Sequence, residues 1–139
     1  MTRTMIALAS LLGSAMLAGA ATGAAQKAVL QSYATDAKAL DPSFSAFSAE
    51  RGKALFLAQP ATGKPDTPSC TSCHSTNPLQ PGRTRAGKDI DPMALSAKKD
   101  RYSDLNFTEK WFGRNCDSVL GRACTPIEKG DFITFMVSQ

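Results

Sequence analysis

The chain has 139 residues, of which 42% are hydrophobic, four cysteines, a single histidine and a formal net charge of +4 at pH 7. That length supports one small domain with a modest core. Sixteen Lys and Arg against twelve Asp and Glu is too mild an excess to indicate a nucleic-acid partner.

Residues 1–25 read as a secretory signal. Arg3 gives a positive start, Met5 to Leu17 are mostly apolar, and Ala18-Gly19-Ala20 and Gly23-Ala24-Ala25 are small-residue cleavage sites. The apolar run is shorter than the ~20 residues a membrane span needs, and Gly13, Ser14 and Gly19 dilute it. A cleaved leader is therefore expected, with residues 26–139 forming one periplasmic domain and no later segment able to cross a bilayer. Val29, Leu30, Tyr33, Ala37 and Leu40 then recur at helical spacing until Asp41-Pro42 stops the helix. Ser48 can cap a second helix running from Glu50 to Leu57. Three prolines and a glycine between Gln59 and Ser69 predict an extended loop.

Next comes Cys70-Thr71-Ser72-Cys73-His74. Cys-x-x-Cys-His is the attachment signature of a c-type haem: two thiols add across the porphyrin vinyl groups, and the adjacent imidazole binds iron on one face. A thioredoxin-like Cys-x-x-Cys requires a βαβ setting, and no strand–helix alternation surrounds this one. A zinc knuckle requires paired ligand spacings, whereas the remaining Cys116 and Cys124 are eight apart. One covalent haem c held by Cys70, Cys73 and His74 is the expectation.

Thr76 to Tyr102 is loop-rich, and Arg83, Arg85, Lys88, Lys98, Lys99 and Arg101 crowd it. Such a cluster is either a solvated surface or a docking rim for an acidic redox partner. A third helix is predicted over Thr108 to about Arg114, with Trp111 and Phe112 facing inward. Thr125-Pro126-Ile127-Glu128 opens a fourth, with a capping threonine, proline at the first helical position and glutamate three after the cap. Strand signals are weak, so the expected class is all-α with long loops.

With His74 the only histidine, the second axial ligand must be another residue type. Met136 lies on the apolar face of the last helix and reads as core. Met93 follows Pro92 in a loop, and a thioether there would raise the potential and close the iron, the arrangement of a plain electron carrier. Cys116 and Cys124 are not needed for thioether bonds and tend to pair in an oxidising compartment, with a chain-entropy gain of roughly 2 to 3 kcal/mol. Such a bond is either a staple for a small domain or a brace for Asn115 and the turn Cys116 to Arg122.

Two resemblances sharpen this reading. Gly52, Leu55 and Phe56 match the Gly-x-x-Leu-Phe helix of class I cytochromes c, in which that helix crosses a C-terminal one; Phe132 and Met136 are the candidates for the crossing. This likeness covers Ser48 to Gln139, leaving Gln26 to Phe47 as an extra N-terminal helical segment. More particular is the run from Gly113-Arg114-Asn115-Cys116-Asp117 through Gly121-Arg122-Ala123-Cys124-Thr125-Pro126, together with Gly63-Lys64-Pro65-Asp66-Thr67-Pro68-Ser69 and Thr84-Arg85-Ala86-Gly87-Lys88-Asp89-Ile90. These segments resemble the sphaeroides haem proteins, an oxygen-binding group of cytochromes c.

The resemblance implies Asn115 as sixth ligand and a Cys116–Cys124 disulfide beside the haem. It also implies a periplasmic protein that takes electrons from a partner cytochrome, a dihaem one included, and binds O2, NO or CO once reduced. Met93 departs from the aliphatic residue usual in the family, either as a volume-conserving swap or as a competitor for iron. An amide is a hard, weak donor, poorly matched to Fe(II), so reduction is expected to open the site. Trp111, Phe112 and Phe107 are candidates for the distal wall, and Lys88 and Arg85 for the haem propionates. Three readings stay open here. They are a redox-gated ligand-binding cytochrome, a His74/Met93 electron carrier, and an enzyme such as a nitric oxide dioxygenase or an oxygen reductase.

Overall fold

A computed structural model describes residues 23–139; residues 1–22, most of the expected leader, lie outside them. Four helices carry the fold: α1 (Ala24–Leu40), α2 (Ala49–Leu57), α3 (Leu105–Leu120) and α4 (Pro126–Val137). A 3-10 turn, Cys70–Ser72, and two short antiparallel strands, β1 (Gly82–Arg83) and β2 (Asp89–Ile90), lie between α2 and α3. The architecture is all-α with long loops, as expected. The β-hairpin was not anticipated, because two-residue strands are too short to show any alternation.

Local chemistry sets the helix ends. The Ser48 hydroxyl accepts from Arg51 N–H, Asp104 does the same for Phe107 N–H in α3, and Thr125 with Glu128 forms a full capping box on α4. α3 is longer than its apolar pattern predicts. Cys116 to Leu120, expected as a turn, continue the helix until Gly121 (φ 67°) ends it in the left-handed region.

The core forms where α2 and α4 cross. Gly52 permits the close approach, since a Cβ there would strike the Asp131 backbone and lie 2.9 Å from Phe135 Cβ. The crossing at Gly52 is thus made by Asp131 and Phe135, not by Phe132 and Met136. Those two pack inward beside it, with Met136 fully buried. Phe132 is the hub, its ring centroid 6.0 Å from Phe56, 5.6 Å from Phe112 and 6.4 Å from Tyr102. Burying each such side chain is worth roughly 1.5–3 kcal/mol.

The extra N-terminal segment is part of this domain. The Gln26 amide donates to the carbonyls of Lys99 and Arg101 at 3.1 and 3.0 Å. Tyr33 donates to Glu109 on α3 at 2.6 Å, and Lys129 on α4 reaches the same carboxylate at 2.8 Å. Buried Asp131 accepts two bonds from Arg51, at 2.6 and 2.7 Å, and one from Ser48 N–H. One carboxylate thereby fixes the start of α2 to the side of α4.

Candidate functional site

The motif occupies a tight turn. Cys73 and His74 N–H groups donate to the Cys70 carbonyl at 3.3 and 3.0 Å, and Ser69, buried just before it, bonds its N–H to the Ser72 hydroxyl at 3.2 Å. Both thiols are free and half-buried; burial pushes the Cys70 thiol up to about 11. Behind the turn, Arg83 N–H donates to the Cys73 carbonyl at 2.8 Å. A cleft of about 720 Å³ opens alongside, lined by Thr71, Cys73, His74, Gly82, Arg83 and Ile90 among others.

His74 is the chemically unusual residue. Burial, and secondarily the Arg101 charge, lower its pKa to about 4, so the imidazole is neutral and able to donate to a metal. Its Nδ1 is buried with no hydrogen-bond partner among the described residues. Two unpaired thiols, a neutral imidazole short of a partner and an adjoining cleft fit a covalently attached haem, with Cys70, Cys73 and His74 as the residues able to hold it. Arg101 escaped the sequence reading as a site residue. Its guanidinium clamps the carbonyls of Pro92 and Asp91 at 3.0 and 2.6 Å, and the sequence shows it only as one charge in a basic stretch.

The two candidates for the sixth position have opposite surroundings. Met93 is buried in the hydrophobic core with Phe112, Cys116 and Met136. Its backbone is tied by N–H to the Pro78 carbonyl at 2.9 Å and by its own carbonyl to the Tyr102 hydroxyl at 2.9 Å. Asn115 is exposed on α3, next to buried Cys116, which is joined to Cys124 by a disulfide with Cα atoms 5.6 Å apart.

α3 has two distinct faces. Thr108, Phe112, Cys116 and Val119 face the core. Phe107, Trp111 and Asn115, each one helical turn apart, line the other. Phe107 is 58% and Trp111 43% exposed; the two rings meet edge to face at 6.1 Å, and Arg114 sits over Trp111 at 5.5 Å. Trp111 was expected inward. Adjacent helical positions point about 100° apart, and Phe112 takes the core direction.

Half of the basic stretch is paired. Arg83 pairs with Asp89 at 3.0 Å, Arg85 with Asp66, and Lys98 with Asp91 and Asp100 at 3.6 and 3.4 Å. Arg85, one candidate for a propionate and otherwise a surface charge, is exposed and paired with Asp66. Lys88 and Lys99 form no ion pair among the described residues. Such exposed pairs add little stability, and they leave Lys88, Lys99 and Arg101 without an acidic partner among the described residues.

An α2–α4 crossing over a Cys-x-x-Cys-His turn defines a monohaem c-type cytochrome with a class I cytochrome c-like fold. Residues 42–136 match the model of a family described as a domain of unknown function, DUF1924. Cytochrome c-type protein SHP of Cereibacter sphaeroides is 55% identical over 91 residues, covering 66% of this chain and 70% of that protein. The structure of oxidised SHP, an oxygen-binding cytochrome c, superposes with a TM-score of 0.75 at 46% identity, over 82% of this chain and 96% of that one. The solution structure of Methylophilus methylotrophus cytochrome c'', reported for the structural basis of its haem-ligand detachment, gives 0.70 at 29% identity over 82% and 93%. The chain belongs to the sphaeroides haem protein family, and its cofactor is one covalently bound haem c.

Proposed function

We propose that this protein is a periplasmic cytochrome that accepts electrons from a partner cytochrome and binds a small diatomic ligand once reduced, Asn115 acting as the gate. Cys70 and Cys73 carry the haem thioether bonds and His74 is the proximal ligand; residues 1–25 are the export signal. When bound, the haem would supply a one-electron redox centre able to take a small ligand. The observation that carries the reading is the contrast between the two candidates. Asn115 is exposed, beside the disulfide and in line with Trp111 and Phe107, whereas Met93 is packed into the core and fixed by its backbone. Met93 then serves as a volume-conserving core residue.

The Asn115 carboxamide is neutral and hard. It would be a tolerable donor to Fe(III) and a poor one to Fe(II), so reduction would weaken its hold on the iron. Trp111 and Phe107 supply an apolar wall on the same helical face, which favours O2, NO or CO over water. The family relatives support this reading: SHP is described as oxygen-binding, and cytochrome c'' as detaching a haem ligand.

The test compares Asn115→Ala with Met93→Leu in ferric holoprotein. Asn115→Ala should raise the azide association rate roughly tenfold, as expected for removal of a ligand worth ~1.4 kcal/mol, and Met93→Leu should leave it unchanged. No far-red methionine-to-iron charge-transfer band should be present. A Met93→Leu variant that opens the iron while Asn115→Ala is silent would make this an ordinary electron carrier. No particular observation favours the enzymatic reading.

A further inference from the structure

The segment Ala58 to Ser69, which runs directly into the attachment turn, is tied to the end of the helix that carries Asn115. Lys64 N–H and the Thr67 hydroxyl both donate to the Ser118 carbonyl, at 2.7 and 3.2 Å, and the Thr62 hydroxyl donates to the Leu120 carbonyl at 2.9 Å. A helix leaves its last four carbonyls without intrahelical donors, and α3 ends at Leu120, so this segment satisfies groups the helix itself cannot. The two backbones touch: a Cβ on Gly63 would collide with the Ser118 and Val119 carbonyls. Lys64 also pairs with Asp117 at 3.3 Å, and Asp66 pairs with Arg85 in the β1–β2 connection. Pro60, Pro65 and Pro68 restrict the φ angles along the segment.

Thr67 stands three residues before Cys70, and Ser118 stands three after Asn115. At ~3.3 Å per extended residue and ~1.5 Å per helical residue, the path from Cys70 through the Thr67–Ser118 bond to Asn115 is on the order of 17 Å. The residue that attaches the haem and the residue proposed to cap its other face are thus joined by a short, proline-stiffened strap. The disulfide at Cys116 restrains the same helical turn from the α4 side.

We propose that this strap positions the sixth ligand: Thr67 and Gly63 set where the last turns of α3 stand relative to the attachment turn. Ligand release is then a rotation of the Asn115 side chain over a backbone that stays in place. The inference rests on the reading of Asn115 as sixth ligand, and Thr67 acts through the helix without touching the haem.

The experiment uses ferric and ferrous holoprotein, with azide as the probe. Thr67→Val removes the hydroxyl at nearly constant volume, and Thr67→Ser keeps it. Thr67→Val should raise azide association roughly two- to tenfold, the range spanned by one lost hydrogen bond, and Thr67→Ser should restore the wild-type rate. Amide hydrogen exchange over residues 116–121 should be slow and equal in both oxidation states of the wild type. A lower melting temperature in Thr67→Val with an unchanged azide rate would reduce the strap to a stabilising contact and overturn the proposal. Exchange over residues 116–121 that quickens on reduction would overturn the fixed-backbone part. Asn115→Ala runs in parallel: fast azide binding there with a silent Thr67→Val rejects the strap alone, while a silent Asn115→Ala rejects the underlying ligand assignment and the strap with it.

Discussion

Removing the Cys116–Cys124 bond should destabilise the protein by about 3 kcal/mol without melting α3. The bond closes a loop with a sequence separation of eight, for which the chain-entropy relation gives ~2.5 kcal/mol at 25 °C. Both half-cystines are buried, at 6% and 8% exposure, so their replacement by alanine leaves small gaps that add less than ~1 kcal/mol. Gly121 in the left-handed conformation and the strap to Ser118 and Leu120 still terminate the helix in the variant. The assay is thermal and urea unfolding of ferric Cys116→Ala/Cys124→Ala holoprotein, followed by far-ultraviolet circular dichroism. For a domain of this size the melting temperature should fall by about 10 °C, with the helical signal at 20 °C unchanged. A loss below ~1 kcal/mol would refute the loop-entropy argument. A helical signal already reduced at 20 °C would show that the bond makes the end of α3 rather than bracing it.

Arg51→Ala should cost about 2 kcal/mol in urea unfolding, because it strips two charge-assisted hydrogen bonds from buried Asp131 and leaves the carboxylate with Ser48 N–H. Adding Asp131→Asn should recover part of that loss, and a variant within ~0.5 kcal/mol of wild type would contradict the anchoring role. Acid should destabilise through two glutamates. Hydrogen bonding to Arg122 holds the Glu128 pKa below its ordinary value. At Glu109 burial pulls upward, but bonds from Lys129 and Tyr33 outweigh it and the net shift is down. A folded pKa below the unfolded one contributes stability that is present above the ordinary glutamate range, ~4.3, and is lost as pH falls through the folded value. The Glu109→Gln/Glu128→Gln variant should therefore lose less urea stability than wild type between pH 7 and pH 3, and equal losses would count against this account.

Signals confined to a few neighbouring residues were legible in the sequence, and those that depend on distant partners were not. Ser48, Asp41-Pro42 and Thr125 to Glu128 carry capping chemistry within one turn, so the end of α1, the bounds of α2 and the start of α4 emerge nearly as observed, whereas the start of α1 at Ala24 falls within the expected leader. The second half of α3 does not: Cys116-Asp117-Ser118 reads as polar turn, and its helicity comes from Cys116 and Val119 packing on the core. Trp111 and Phe112 are equally apolar, and only the rotation of the helix against Phe132 decides which one is buried. The charges at Arg83, Arg85 and Lys98 looked free because Asp89, Asp66 and Asp91 become their neighbours through loop geometry. At the site, Cys70, Cys73 and His74 stand out because the chemistry they suggest is encoded in spacing, and the turn holds the three together. The strap was not, since it joins side chains to backbone carbonyls 51 and 58 residues away.

The α2–α4 crossing has a consequence for the order of events during synthesis. Gly52 and Phe56 cannot be buried until Phe132, Phe135 and Met136 exist to cover them, and the attachment turn lies between these two helices in the chain. Contacts of such high sequence separation form late, after the cost of closing the intervening loop. A growing chain therefore holds Cys70, which packs against the finished core, in an open setting until α4 docks. Docking thus acts as a clock, leaving Cys70 in an open setting for as long as α4 is absent.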